Sequence, residues 1–144
     1  MTHNYHALVA NQIFMGAAAD MQDLATSENV SVIVDLRAES TGCAATQPGI
    51  KWIKVPLGDN SPTEESILFK QAIDEVVAAY RSGEKVAFHC GMGRGRTGTV
   101  AAGVLLELGL AANFDEAESR AKEIRPQLSI QPVQAEALRK IYGS

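Results

Sequence analysis

One segment, residues 89–98 with the sequence HCGMGRGRTG, carries the side chains most able to do chemistry. Its cysteine, Cys90, is separated by five residues from Arg96. The five are Gly91, Met92, Gly93, Arg94 and Gly95. Glycines allow the backbone to turn successive N–H groups toward one point, which forms an anion-binding concavity, and an arginine offers a planar fork to two phosphate oxygens. We therefore expect residues 91–96 to hold a phosphoryl group beside a cysteine nucleophile.

The elements on either side of this segment should set the charge state of the cysteine. Lys85–His89 (KVAFH) is typical of a short strand, and Gly98–Leu108 is apolar nearly all round, as expected of a buried helix. A helix that begins near Arg96 directs the positive end of its dipole at the loop. This field and the arginine favour the thiolate of Cys90, so the sequence predicts an activated nucleophile.

Four other interpretations of the segment are weaker. Gly93–Gly98 matches the dinucleotide-binding pattern G-x-G-x-x-G, but that pattern needs a second strand after the helix, and Ala111–Arg125 is helical in character. A Walker A loop needs a lysine where Thr99 stands. A rhodanese-type sulfurtransferase loop also starts with a cysteine at a strand end, but it lacks the arginine. An inert cysteine beside a glycine turn does not explain two arginines among the glycines.

Strand and helix patterns alternate along the chain. The predicted strands are Gln12–Gly16, Val30–Leu36, Ile50–Val55 and Lys85–His89. The predicted helices are Asp20–Ser27, one that starts at Ser61–Glu64 (SPTE) and ends at Ser82–Gly83, Gly98–Leu108, Asp115–Ile124 and Pro132–Tyr142. This alternation predicts an α/β fold with a central, mostly parallel twisted sheet of about four or five strands flanked by helices.

Composition and charge exclude several classes of partner. The 144 residues fit a single domain, 1–144, in which 46% of the residues are hydrophobic and 21% are charged, as is ordinary for a soluble globular protein. A net charge of −4 argues against nucleic acid as a partner and against stable association with an anionic membrane. No apolar stretch is long enough to span a bilayer.

The cysteines and the N-terminus bear on location and metal binding. Cys43 and Cys90 are too few for a disulfide framework and lack metal-ligand spacing. The N-terminal residues lack the basic start and apolar run of a secretory signal, so we expect a cytoplasmic protein with reduced thiols. His3 and His6 lie near a terminus that we expect to be loose, and they are not expected to be ligands.

The pattern H-C-x5-R-[S/T] in residues 89–97 resembles the signature of the protein tyrosine phosphatase superfamily. The small size of the chain and the late position of the motif are similar to the dual-specificity branch, which includes lipid phosphatases. The similarity in element order runs from Gln12 to Leu138. The resemblance implies a dual-specificity-phosphatase-like α/β fold and a two-step reaction through a phosphocysteine at Cys90. It also implies that the reaction needs no metal and no cofactor.

The resemblance further implies a general acid on a loop that follows a strand. Asp59 lies on the loop after the predicted strand Ile50–Val55 and is therefore the expected proton donor. Asp35 is the weaker rival, because it lies inside a predicted strand. We expect Asp35 to order neighbouring backbone or to pair with Arg37.

Supporting roles are implied for residues beside the loop and near the C-terminus. His89 helps to hold the loop and the thiolate, and the hydroxyl of Thr97 bonds the cysteine sulfur when it becomes a leaving group. Residues 125–134 (RPQLSIQPVQ) resemble the family's RP-x-SIQ segment, in which a glutamine places the hydrolytic water. Because the spacing departs from that pattern, Gln131 and Gln134 both remain candidates.

The expected partner is a phosphorylated protein or a small phosphorylated substrate. The chain has little room for the segments that deepen the pocket in tyrosine-specific relatives, so phosphotyrosine, with phosphoserine and phosphothreonine, is the default substrate class. Arg94 adds a second cation to the loop, as in relatives that act on phosphoinositides, so a lipid or inositol phosphate is the alternative. A phosphate-binding module without turnover is a third possibility, which the presence of both Cys90 and Arg96 disfavours.

Overall fold

The computed structural model of the chain describes residues 4–58 and 65–143, and its strands form one sheet. The strands are β1 (His6–Val9), β2 (Ile13–Ala17), β3 (Val32–Arg37), β4 (Lys51–Leu57) and β5 (Val86–Cys90). Their order across the five-stranded sheet is β1-β2-β5-β3-β4. Only the β1–β2 pair is antiparallel among these strands, since β2, β5, β3 and β4 all run parallel to their neighbours. The predicted mostly parallel sheet is confirmed.

Helices cover both faces of the sheet, and they connect β2 to β3 and β4 to β5, whereas β3 leads to β4 through the described residues 38–50 without a helix. They are α1 (Met21–Ser27), which follows a short 3-10 turn, α2 (Glu65–Arg81), α3 (Gly95–Glu107), α4 (Phe114–Ile124) and α5 (Pro132–Tyr142). The predicted start signal of α2, Ser61–Glu64, lies outside the described residues. Within residues 4–58 and 65–143, no helix has the length and apolar character needed to cross a membrane.

Side chains that alternate along the strands divide the core between the two faces of the sheet. In β5, Val86 and Phe88 belong to one buried cluster with residues of α2, α3, α4 and α5. Ala87, between them, belongs to a second cluster with Met21 and Leu24 of α1. Because both faces are covered, the inner strands are apolar on both sides, which explains their nearly continuous hydrophobic sequences.

Two boundaries differ from those that the sequence predicts. His6 lies in strand β1 and pairs with Met15 of β2, so the expectation of a loose terminus is wrong at this residue. α3 begins at Gly95, close to the start near Arg96 that the loop predicts and before the apolar segment Gly98–Leu108, because the Gly98 N–H already donates to the Arg94 carbonyl at 3.0 Å. The apolar pattern of α3 therefore starts later than its backbone hydrogen bonds.

The loop that carries Cys90 and Arg96 lies at the carboxyl edge of the parallel strands. β5 occupies the centre of the sheet, between β2 and β3, and Cys90 is its last residue. Side chains that follow the carboxyl ends of adjacent parallel strands meet at one edge, where ligands of such sheets bind. The fold therefore brings the segments after β3 and β4 to the same edge as the Cys90–Arg96 loop.

Candidate active site

The Cys90–Arg96 loop is held from behind by the end of β2. The N–H of Ala18 donates to the Gly91 carbonyl at 3.1 Å. Gly93 has a φ of 69°, and a Cβ atom there would lie 2.7 Å from the Gly16 carbonyl oxygen and 2.6 Å from Arg125 Nη2. Only glycine fits that conformation and that space, so the turn of the loop depends on Gly93.

Arg125 fixes the carbonyl side of the same turn. Its side chain is 2% exposed, and its Nε donates to the Gly93 carbonyl at 2.9 Å. Its Nη1 donates to the Asn4 carbonyl and to His6 Nδ1. Arg125 thus holds the Gly93 carbonyl, while the backbone N–H of Gly93 acts on the Cys90 thiol. Sequence reasoning placed Arg125 in the segment 125–134 but assigned it no role at the loop.

The Cys90 sulfur is buried and accepts a hydrogen bond from the residue after Arg96. Cys90 is 3% exposed, and Thr97 Oγ1 donates to its Sγ at 3.0 Å. Burial opposes ionisation and is the largest single influence on this thiol. The hydrogen bond from the Thr97 hydroxyl and the backbone N–H groups of Thr97, Arg94 and Gly93 together outweigh burial, so the pKa of Cys90 lies below its ordinary value. The predicted nest of N–H groups therefore converges on the thiolate.

Replacing Thr97 with valine is expected to raise the pKa of Cys90. The substitution keeps the shape of the side chain and removes its hydroxyl donor. At a pH below the ordinary thiol range, alkylation of Cys90 by iodoacetamide should slow roughly tenfold, the scale of one hydrogen bond to a charged group. Thr99→Val is the control, since the Thr99 hydroxyl donates to the Gly95 carbonyl rather than to the sulfur. An equal effect of both substitutions on the pH profile of alkylation would contradict the assignment.

The Arg96 guanidinium is bound by Glu39, on the segment after β3, and by the carbonyl of Leu57, the last residue of β4. Its Nη1 donates to Glu39 Oε1 at 3.0 Å and to the Leu57 carbonyl at 2.9 Å, and it lies 3.5 Å from the Leu36 carbonyl. Its Nη2 donates to Glu39 Oε2 at 3.1 Å. Sequence reasoning missed Glu39 as a partner, because no spacing in the sequence relates it to Arg96.

His89 contacts the backbone of the loop, as expected of a supporting residue. Its Nδ1 lies 3.0 Å from the Cys90 carbonyl oxygen. Since a carbonyl oxygen only accepts, Nδ1 carries the proton. Burial lowers the pKa of His89, which keeps the ring neutral, and its Nε2 lies 3.8 Å from Asp35 Oδ1.

Asp35 is fixed in a buried hydrogen-bond network. It is 0% exposed and accepts from Arg37 Nε at 2.9 Å, Ser40 Oγ at 2.6 Å and Trp52 Nε1 at 3.1 Å. Burial alone would raise the pKa of Asp35, but these hydrogen bonds, chiefly that from Arg37, lower it to about 2. Asp35 therefore stays ionised near neutral pH and has no proton to donate. The expected pairing with Arg37 is present.

The two candidate glutamines differ in position. A Cβ atom on Gly95 would lie 3.2 Å from both polar side-chain atoms of Gln134, so Gln134 touches the Cys90–Arg96 loop. Its Oε1 accepts from the Gln131 N–H at 2.9 Å. The Gln131 side chain is exposed and donates to Ser129 Oγ at 3.2 Å. The structure thus places Gln134 against the loop and Gln131 at the surface beside Ser129.

Three other predicted residues complete the description of the loop and its surroundings. Met92 and Arg94 have exposed side chains on the loop. Asp59 lies outside the described residues. Its chain neighbour Gly58 lies against Arg96, because a Cβ atom on Gly58 would be 2.9 Å from Arg96 Nη1.

Comparisons with known proteins bear on the family and the fold of this chain. A family model described as "Polymorphic toxin system, DSP-PTPase phosphatase" matches residues 10–110. Tyrosine-protein phosphatase vhp-1 of Caenorhabditis elegans is 23% identical over 124 residues, which make up 85% of this chain. The matched part is 19% of vhp-1, so the chain spans about a fifth of the length of that relative.

Solved structures show the same fold. Human DUSP28 superposes with a TM-score of 0.81 at 21% identity, covering 99% of this chain and 95% of that one. PTPMT1 in complex with PI(5)P superposes with a TM-score of 0.78 at 20% identity, covering 96% and 94%. The fold implied by the H-C-x5-R-[S/T] pattern is therefore confirmed. With the family model spanning most of its length, the chain belongs to the dual-specificity-like DSP-PTPase phosphatases of polymorphic toxin systems.

Proposed function

We propose that this phosphatase hydrolyses phosphate monoesters on proteins, phosphotyrosine with phosphoserine and phosphothreonine, through a phosphocysteine intermediate. The hydrogen bond from Thr97 to the Cys90 sulfur at 3.0 Å, inside the ring of loop N–H groups, is the observation that carries the proposal. It stabilises a thiolate where the loop would hold a phosphoryl group. A nucleophile that works as a free thiol also favours a reducing compartment, which we propose to be the cytoplasm.

The first step transfers the phosphoryl group from the substrate to Cys90. The thiolate attacks phosphorus, a sulfur–phosphorus bond forms, and the bond from phosphorus to the leaving oxygen breaks. The leaving oxygen takes a proton from Asp59. Two observations support this acid. The Leu57 carbonyl and Gly58, just before Asp59 in the chain, contact Arg96. The rival Asp35 is ionised and held by its own hydrogen-bond network.

The second step hydrolyses the phosphocysteine and regenerates the Cys90 thiolate. Water attacks phosphorus and gives a proton to the Asp59 carboxylate, while the sulfur–phosphorus bond breaks to release inorganic phosphate. The Thr97 hydroxyl stabilises the departing sulfur, since it already donates to Cys90 in this structure. Gln134 is the better placed of the two glutamines to orient the water, because it touches Gly95 of the loop.

Release of phosphate from p-nitrophenyl phosphate and from a phosphotyrosine peptide, with a metal chelator present, tests this function. The chelator should leave the rate unchanged, since thiolate chemistry of this kind needs no metal. A folded protein that binds a tetrahedral oxyanion but releases no phosphate from either substrate would contradict turnover and leave the binding-module interpretation.

A lipid or inositol phosphate is the second candidate substrate, favoured by the position of Arg94. This residue precedes the first turn of α3, and its carbonyl accepts from the N–H groups of Gly98 and Ser129, at 3.0 and 3.3 Å. The backbone of Arg94 is therefore fixed while its side chain is exposed at the loop. An exposed guanidinium there is available to a second phosphate on the same substrate. The structural neighbour PTPMT1 has been crystallised with the phosphoinositide PI(5)P.

Replacing Arg94 with alanine separates the two substrate classes. The change should spare p-nitrophenyl phosphate, which carries one phosphate. On an inositol polyphosphate it should lower kcat/KM by roughly 10- to 150-fold, the range for one charge-assisted hydrogen bond. Arg81→Ala is the matched control, because Arg81 is an exposed arginine near the start of β5, at the other end of that strand from Cys90. Equal small losses on both substrates would remove Arg94 from substrate selection.

A further inference from the structure

The hydrogen bonds from Arg96 to oxygen atoms of the described residues leave one edge of its guanidinium for other partners, and the Cys90 sulfur is close enough to interact with Arg96. A guanidinium has five N–H donors. Both donors of Nη1 are engaged, one by Glu39 Oε1 and one by the Leu57 carbonyl. One donor of Nη2 is engaged by Glu39 Oε2. Within residues 4–58 and 65–143, the hydrogen bonds to backbone and carboxylate oxygens thus leave Nε–H and the second Nη2–H.

The two remaining donors lie on the same edge of the planar group. Nη1 lies on the Cδ side of the guanidinium, so Nε and Nη2 form its side edge and Nη1 and Nη2 form its end. Glu39 occupies the end, and the side edge keeps two parallel N–H bonds, the geometry that binds two phosphate oxygens. Cys90 is among the groups that raise the pKa of Arg96, which shows that the sulfur and the guanidinium are close enough to interact.

We propose that Glu39 is a positioning residue, which holds the end of Arg96 so that its Nε–Nη2 edge faces the phosphoryl group. The proposal rests on the proposed phosphatase function. Glu39 itself does not touch the substrate in this scheme. It acts through Arg96 by removing the rotations that would otherwise turn the fork away from the loop.

The backbone around Glu39 is built to hold it in place. The Ala38 N–H donates to the Leu57 carbonyl at 3.1 Å, which ties the segment after β3 to the same carbonyl that Arg96 contacts. On the other side, Ser40 Oγ donates to the buried Asp35 carboxylate at 2.6 Å. The Ser40 carbonyl also accepts from Lys54 Nζ at 2.7 Å. The residues before and after Glu39 are thus both anchored to the sheet.

The opposite role, competition of Glu39 with substrate for Arg96, does not fit the contacts. A competing carboxylate would have to occupy the edge that binds phosphate, whereas Glu39 takes the end. Its side chain is 59% exposed, so solvent weakens the pair and the expected effects are moderate. The two roles predict opposite changes in oxyanion affinity when Glu39 is neutralised. If Glu39 competes with the anion, loss of its negative charge strengthens anion binding. If Glu39 positions Arg96, its loss weakens anion binding.

Binding of tungstate, a tetrahedral oxyanion, to wild type and to Glu39→Gln measures the direction of this change in affinity. The substitution should weaken tungstate binding roughly 5- to 20-fold and lower kcat/KM on p-nitrophenyl phosphate by a similar factor. Glu118→Gln is the matched control, because it makes the same chemical change in a pair with Lys122 on α4. The control should change neither quantity. Unchanged or tighter tungstate binding in Glu39→Gln would overturn the proposal.

The same substitution in an Arg96→Lys background shows whether Glu39 acts through the fork. Lysine has no planar edges to orient, so Glu39→Gln should then cost less than about twofold in tungstate affinity. An equal loss in both backgrounds would overturn the proposal, since Glu39 would act on the loop by another route. The cycle measures binding, so it still tests Glu39 if the protein proves inactive on every phosphate ester, which would contradict only the proposed function.

Discussion

Replacing Cys90 with serine is expected to lower turnover of p-nitrophenyl phosphate by at least about 10³-fold while tungstate binding stays within a few-fold of wild type. The serine hydroxyl ionises far less readily than the thiol, so hydrogen bonds that suffice to hold a thiolate do not produce an alkoxide. The binding groups are separate from the nucleophile, because they are N–H groups of the loop and the Arg96 fork. Steady-state kinetics and calorimetric titration with tungstate measure the two effects.

The second cysteine of the chain provides the control for this result. Cys43 is half-buried and packs against the core cluster that includes Met21 and Leu24, on the α1 face of the sheet. Cys43→Ser should therefore leave turnover unchanged. Normal activity in Cys90→Ser would contradict a covalent mechanism through Cys90. Loss of both turnover and tungstate binding, in a protein that still melts cooperatively, would show that the sulfur is needed to shape the loop.

The fold could be predicted from the sequence wherever burial on both sides of the sheet imposes continuous apolar strands. Val32–Arg37 and Val86–Cys90 are such strands, and the structure has them close to the predicted bounds. His6–Val9 could not be predicted, because this short edge strand depends on its antiparallel pairing with β2. The turn between the two strands uses Asn11 at a φ of 62°, a conformation that asparagine adopts more readily than most residues but that composition alone does not reveal.

In the candidate site, too, residues that are close together in the sequence could be predicted, and residues that are distant in the sequence could not. Cys90, Arg96 and Thr97 could be predicted because they lie within eight consecutive residues of the sequence, so their spacing along the chain indicates that their side chains are close together. Glu39 and Arg125 reach the loop from distant parts of the chain, and only the sheet order and the packing of the loops bring them there. Arg125 lies in the segment 125–134, which resembles the family's RP-x-SIQ pattern, whereas the segment around Glu39 carries no recognisable motif.

Replacing Asp59 with asparagine is expected to lower kcat on alkyl phosphates by roughly 10²–10⁴-fold, the usual scale of lost general acid catalysis. An alkoxide is a poor leaving group, so it needs a proton as its bond to phosphorus breaks. The loss should shrink for p-nitrophenyl phosphate, whose leaving group is already a stable anion. The rate of Asp59→Asn should also lose the decline on the high-pH side of its optimum, because the group whose deprotonation causes that decline is gone.

Asp35→Asn is the informative comparison, because loss of the Asp35 carboxylate should affect stability, whereas loss of the Asp59 carboxylate should affect the rate. Asp35 is buried and held at a pKa of about 2 despite burial, through hydrogen bonds from Arg37 and Ser40. The stability from this depressed pKa is present above the ordinary range of an aspartate and is lost as pH falls toward 2. Asp35→Asn should therefore lower Tm near neutral pH and leave the dependence of rate on leaving group unchanged. If Asp59→Asn instead keeps full activity on alkyl phosphates while Asp35→Asn loses it, the proton comes from the buried carboxylate and the assignment of the acid is wrong.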